Sequence, residues 1–380
     1  MVIEASHYKT GDSYKIHLKD GSVTQVSMGK PTQSDLIISP GLIDLQVNGF
    51  KGVDFNSDDL TEAQVVKVIH ELWKEGVTSF MPTLITNADI NIENAIDCIR
   101  KTCESNPLVQ QSIAGIHLEG PFLSKEDGPR GAHPKEHLKN PDWQLFKKWQ
   151  ERASGLIKII TLAPELPGSA AFIKKCSQSG VVVSMGHTAA QAEHIAEATT
   201  AGARMSTHLG NAAHLNLPRH PNYIWEQLAS DDLWISIIAD GFHLPDSVLK
   251  VFSRVKPLKS ILVSDCTKFA GLSPGIYNSH IGGDVELNES GRLFMKNTPE
   301  LLAGSAQSLL WCVNHMFKSG ITTLVNAIEM ASCSPKQLLY DQPISSELGE
   351  NTDLVIFEKI SGGGLKVKST IKSGQLVFTQ

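Results

Sequence analysis

Between about residue 41 and residue 340, short apolar runs alternate with longer amphipathic ones, and most of the apolar runs end in polar residues or glycine. The runs are "LIDLQVNG", "TSFMPTLI", "AGIHLEG", "IKIITLAPE", "VVVSMGHT", "ARMSTHL", "ISIIADGFH" and "SILVSDC". Continuous apolar runs of this length read as strands buried on both faces, and the stretches between them have helical periodicity. "LTEAQVVKVIHELWKEG", "AAFIKKCSQSG" and "AQAEHIAEATTAG" are amphipathic, each closed by the glycine expected just past a helix C-terminus. Eight such units predict an α/β fold, a (β/α)8 TIM-type barrel. An open doubly wound sheet stays as the alternative, but "QVNGFKG" after the first strand lacks the GxGxxG spacing of a phosphate loop.

The two ends of the chain follow a different period. "YKIHLKDGSVTQVS" and "TDLVIFEKISGGGLKVKSTIKSGQLVF" alternate apolar and polar residues around Gly-containing turns, as antiparallel hairpins do. They are expected to pair into one small β-sandwich domain, residues 1–40 with 345–380, flanking a barrel of residues 41–344. The chain would enter the barrel through "ISPGLID" and leave it near "PISSELGEN".

Composition narrows the function. A chain of 380 residues that is 41% hydrophobic can bury a large core. A net charge of -6 without basic runs gives no footprint for nucleic acid or an anionic membrane. No segment approaches the roughly 20 apolar residues of a membrane span, and the first residues do not read as a signal peptide, so a cytoplasmic location is expected. The six cysteines form no CxxC pair, so neither a disulfide framework nor a thiolate metal site is predicted.

Candidate chemistry gathers at the strand ends, where a barrel of this kind collects its catalytic groups. Glu119 ends the third strand, His187 the fifth, His208 the sixth, Asp240 and His243 the seventh, and Asp265 the eighth. Two histidines and a carboxylate from three strands, Glu119, His187 and His208, form a ligand set for a catalytic zinc with an open position. Each could instead be a satisfied core or rim residue, but the joint pattern favours the metal. Asp265 needs a partner at the end of an apolar strand, and water activated by the metal is a natural one; a helix N-cap or an ion pair with Lys268 is the structural alternative. Gln46-Val47-Asn48 ends the first strand, and neutral amides are poor zinc ligands beside imidazole and carboxylate, so one metal per chain is predicted. His117 shares a strand face with Glu119 and is read as a group that orients the site, with a ligand role as the alternative.

The ordered series "SPGLIDLQVNGFKGVDFN", "MPTLIT", "HLEGPFL", "GAHP", "ITLAPE", "VVVSMGHT", "THLGNA", "IIADGFH", "LVSD" and "LAGS" resembles the N-acetylglucosamine-6-phosphate deacetylases of the amidohydrolase superfamily. The resemblance implies hydrolysis of the acetamido group of an amino-sugar phosphate and a homodimer as the assembly; the divalent metal is read as zinc from its ligand set, with iron, cobalt and manganese as alternatives. It implies that Asp265 is the catalytic aspartate and that His133, next to Ala132 in "GAHP", helps polarise the carbonyl. It further implies that Asn211, Ala212, His243, Ala303 and Gly304 contact the substrate, and that Arg219 holds the phosphate across a dimer interface. His214 and His220 stay open. Three rivals remain: a deacetylase for N-acetylgalactosamine-6-phosphate, an unphosphorylated N-acetyl sugar or an N-acyl amino acid; a binding protein on the same barrel; and a cyclic-amide hydrolase. The last commonly bridges two metals with a carboxylated lysine, and no lysine ends a matching strand here.

Overall fold

The computed structural model describes residues 1–30, 34–279, 283–341 and 348–380. All eight expected strands form, as one parallel sheet in sequential order: β1 (Leu42–Val47), β2 (Val77–Ile85), β3 (Ile116–Glu119), β4 (Ile157–Leu162), β5 (Val182–Met185), β6 (Ala203–Ser206), β7 (Trp234–Ile238) and β8 (Ser260–Val263). The sheet curls until β1 meets β8, and a single parallel bridge between Val47 and Cys266 joins its two edges. Leu45, Met81, Ile159, Met205, Ile261 and Val263 cluster inside it, and a larger apolar layer lies between strands and helices.

The helices follow from local chemistry. Helix Glu62–Lys74 begins at a capping box in which Thr61 and Gln64 satisfy each other's backbone N–H groups, and it buries Val65, Val68, Ile69 and Leu72 against the sheet. Gly76, Gly180 and Gly202 follow their helices with positive φ, a conformation that costs glycine nothing.

Strands from the two ends of the chain, Val2–His7, Ser13–Lys19, Ser22–Gly29 and Leu36–Pro40 with Leu354–Lys359, Leu365–Lys372 and Gln375–Thr379, make the small β-unit. Its seven strands close on themselves, because Val2–His7 pairs with Leu36–Pro40 in parallel. Asp20-Gly21 and Ser373-Gly374 both have positive φ, the pattern of the two-residue hairpin turns that suit strand twist. Most of "PISSELGEN" lies outside the described residues.

One element was not expected. After β8, strands Gly275–Ser279, Gly283–Leu287, Leu293–Met295 and Thr298–Leu302 form a separate antiparallel sheet over the C-terminal mouth of the barrel. Val285, Leu287 and Leu293 pack with Phe269 and Ala306 beneath it.

Candidate active site

Glu119 ends β3, and His187, His208 and Asp265 each stand just past β5, β6 and β8. All three of the latter have positive φ, at 51°, 31° and 48°. Such backbone strain on non-glycine residues costs of order 1–3 kcal/mol each and persists where the surroundings impose it, typically at a functional site. Gly120 explains the turn after Glu119: its φ is 93°, and a Cβ there would collide with Thr86 Oγ1.

Glu119 Oε1 lies 3.3 Å from His187 Nε2 and 3.0 Å from His208 Nε2, and the two Nε2 atoms are 3.1 Å apart. Gln46 Nε2 donates to the same carboxylate oxygen at 2.9 Å. Burial alone would raise the Glu119 carboxyl, but hydrogen bonds and charge from the two imidazoles hold it well below its usual value. His208 shifts the other way: burial lowers it, and the contact with Glu119 outweighs that and raises it. The centre therefore draws in one positive charge, and no lysine or arginine pairs with Glu119 among the described residues. His187 Nδ1 donates to the Pro129 carbonyl at 3.0 Å, which fixes the ring and leaves Nε2 as the nitrogen that would offer its lone pair to a cation once its proton is displaced. One carboxylate and two imidazole nitrogens around a site that calls for positive charge fit a divalent cation.

Metal-capable atoms of Glu119, His133 and His187 also lie within 4.8 Å of one another. His133 stands beside the tighter trio as a fourth group, its Nδ1 2.8 Å from Thr86 Oγ1. Burial, reinforced by the charge of His187, pushes His133 down to about 3, so its ring is neutral. Asp265 is half-buried, accepts a 2.7 Å hydrogen bond from Asn48 Nδ2, and is pushed up to about 6 by loss of solvation and then by the charge of Glu119. Neither structural alternative for Asp265 is realised: Lys268 lies 3.7 Å from Asp54 instead, and no helix begins directly after Asp265.

A cavity of about 590 Å³ opens above these groups, and Ala132, His133, Ala303 and Gly304 line it with Asn48, Glu119, His187, His208 and Asp265. Asn211 and Ala212 line a narrow crevice behind His187. His243 hydrogen bonds to Asp240 Oδ2 at 2.7 Å and is close enough for its charge to act on Asp265. Arg219 is exposed and lines neither space. A second cavity, of about 470 Å³, lies between barrel and β-unit. Its buried cation, Lys372, is already held by Asp353 and Ser79, and its lining includes none of the metal-capable group.

His117 is fully buried below the site, with Nδ1 3.0 Å from the Leu45 carbonyl and Nε2 2.7 Å from Thr161 Oγ1. Both nitrogens are engaged, so it is not a ligand; burial pushes it down to about 4 and it is neutral. Its Nδ1 can only donate to a carbonyl, so Thr161 donates to Nε2, Thr207 to Thr161 at 2.7 Å, and Ser184 to Thr207 at 2.5 Å. Sequence reasoning did not reach this hydroxyl chain, nor Thr86, although Thr86 stands just past β2 where a functional group was to be sought. It also missed the apolar roof, Met295, Leu301 and Leu302, whose signal was the alternation in "GDVELNESGRLFM".

The amidohydrolase family model matches residues 37–377. The chain is 33% identical over 377 residues to the N-acetylglucosamine-6-phosphate deacetylase of Bacillus subtilis, covering 96% of this chain and 92% of that one. It is 33% identical over 354 residues to the enzyme of the same name from Homo sapiens, covering 90% and 83%. Among solved structures, the N-acetylglucosamine-6-phosphate deacetylase of Pasteurella multocida superposes with a TM-score of 0.83 at 24% identity over 98% of both chains, a likeness of fold. The chain belongs to the amidohydrolase family, and within it to the N-acetylglucosamine-6-phosphate deacetylases.

Proposed function

We propose that this protein hydrolyses N-acetylglucosamine-6-phosphate to glucosamine-6-phosphate and acetate, in the cytoplasm, as a homodimer with one zinc ion per chain. The observation that carries the reading is the convergence of Glu119, His187 and His208 at 3.0–3.3 Å beside the half-buried Asp265. Glu119, His187 and His208 would hold a divalent metal, whose chemistry would be to polarise an amide carbonyl and to lower the pKa of water.

The protein's own groups do the rest. Asp265 takes a proton from the attacking water and passes it to the amide nitrogen as the C–N bond breaks, so that acetate and a free amine leave. A carboxyl pulled up toward neutrality suits both halves of that task. With Thr86 donating to Nδ1, neutral His133 keeps its N–H on Nε2 to donate to the carbonyl oxygen, where negative charge develops. Met295, Leu301 and Leu302 cover the pocket with apolar surface that limits entry of bulk water. Asn211, Ala212, His243, Ala132, Ala303 and Gly304 are assigned to the sugar.

Arg219 reaches a phosphate only if a second copy of the chain brings it there. Leu215, 99% exposed, and Trp225, 52% exposed, flank it and form a surface such a copy would cover. The test compares acetate release from N-acetylglucosamine-6-phosphate, its galactose epimer, unphosphorylated N-acetylglucosamine and an N-acetyl amino acid. A strong preference for the first is expected, and equal rates on the unphosphorylated sugar would overturn the assignment of Arg219.

A further inference from the structure

Asp44 is a carboxylic acid in the wrong place for stability. It is fully buried on the outer, helix-facing side of β1, pairs with no cation among the described residues, and its Oδ2 has no hydrogen-bond partner. Burial pushes the carboxyl up to about 7. A buried acid of this kind is costly, and an apolar side chain would serve the packing better.

Its surroundings give it a task. The seam between β1 and β8 has no regular ladder, only the bridge between Val47 and Cys266. The register of β1 against β2 also breaks between Asp44 and Val47. Asp44 Oδ1 accepts the backbone N–H of Gln46 at 3.3 Å and that of Ser264 at 3.2 Å. The carboxyl thus stands where a neighbouring strand's carbonyl would stand in a continuous sheet. Ser264 Oγ returns a bond to the Gln46 carbonyl at 3.3 Å and accepts the Cys266 N–H at 3.2 Å. Ser264 and Cys266 flank Asp265, whose φ of 48° must be imposed from outside, and the residue facing Asp265 from β1 is Asn48.

We propose that Asp44, acting with Ser264, is a positioning residue for Asp265: it stitches the barrel seam so that the carboxyl of Asp265 and the amide of Asn48 meet at the reaction centre. This rests on the reading of Asp265 as the proton-transferring group. The metal-capable residues stand on β3 and past β5 and β6, and Glu119 meets the seam through the side-chain amide of Gln46, whose backbone alone is held by Asp44 and Ser264, so loosening the seam is read first in proton transfer, with metal and substrate binding expected to hold.

The test measures kcat, KM and metal content for wild type, Asp44→Ala, Asp44→Asn, Ser264→Ala and Asp265→Asn, all on N-acetylglucosamine-6-phosphate. Asp44→Ala and Ser264→Ala are expected to lower kcat at least about tenfold with KM and metal content unchanged. Asp44→Asn, which keeps an acceptor oxygen at Oδ1, restores most of what Asp44→Ala loses. In the Asp265→Asn background, adding Ser264→Ala has no further effect, because the group it positions is gone. Wild-type kcat in Ser264→Ala, a loss that multiplies with that of Asp265→Asn, or a parallel fall in metal content overturns the proposal. Ser264→Ala removes only one hydroxyl, so it decides the matter even if Asp44→Ala does not fold. A wild-type protein inactive on every N-acetyl sugar phosphate would instead remove the functional reading itself.

Discussion

Replacing Asp265 by asparagine separates what this carboxyl does for the reaction from what it costs the fold. In Asp265→Asn the side-chain carbonyl can still accept the hydrogen bond from Asn48 Nδ2, so local geometry is preserved while the charge is removed. In the metal-free protein the folded-state carboxyl is raised from 3.8 to about 6, by burial and then by Glu119. That difference corresponds to about 3 kcal/mol. Because the folded value lies above the unfolded one, protonation favours the fold at low pH, and the benefit is lost as pH rises through about 6. The metal-free variant should therefore be more stable than the metal-free wild type by about 3 kcal/mol at pH 8, with the gap closing below about pH 4. Turnover moves in the opposite direction: losing a general acid–base group costs roughly 100- to 10,000-fold in kcat. Chemical denaturation of both proteins across this pH range, with acetate release from the metal-loaded forms, measures both effects. A variant that keeps full turnover, or that gains no stability at pH 8, would refute the reasoning.

Other substitutions probe single contacts. Glu119→Gln removes the only carboxylate of the trio; losing one member of a buried charged set costs about 3–5 kcal/mol, so metal affinity measured by chelator competition should fall at least about 100-fold. Thr86→Val takes away the partner that orients His133 and should lower kcat about tenfold at constant KM, short of the roughly 100-fold or more expected from deleting a transition-state donor outright; an unchanged kcat would exclude the role. Thr161→Val interrupts the hydroxyl chain and leaves His117 Nε2 without its donor. It should lower stability by about 1–3 kcal/mol with an unchanged urea m-value.

The barrel was legible because a parallel sheet covered on both faces demands uninterrupted apolar runs, and eight such runs ended in polar groups that have no reason to sit there except a shared mouth. Glu119, His187, His208 and Asp265 stood out by that rule, and these four do converge. Thr86 obeys the same rule yet went unread, since a threonine past a strand end is ordinary without the imidazole it meets. Asp44 and the chain from Ser184 to His117 were hidden for a related reason: their meaning lies in partners far along the chain, such as Ser264 for Asp44. The roof sheet was missed because its strands are short and half exposed, so its alternation is weak beside the barrel's. Arg219 lines neither the cavity nor the crevice, so the single chain gives it no place at the site.

A single cation at Glu119, His187 and His208 is proposed to enable amide hydrolysis. The most direct test strips the protein of metal and follows acetate release from N-acetylglucosamine-6-phosphate as zinc is returned in measured amounts. No turnover is expected at the start, then a linear rise and a plateau at one equivalent per chain. Turnover by the metal-free protein, or a plateau reached only at two equivalents, would contradict it.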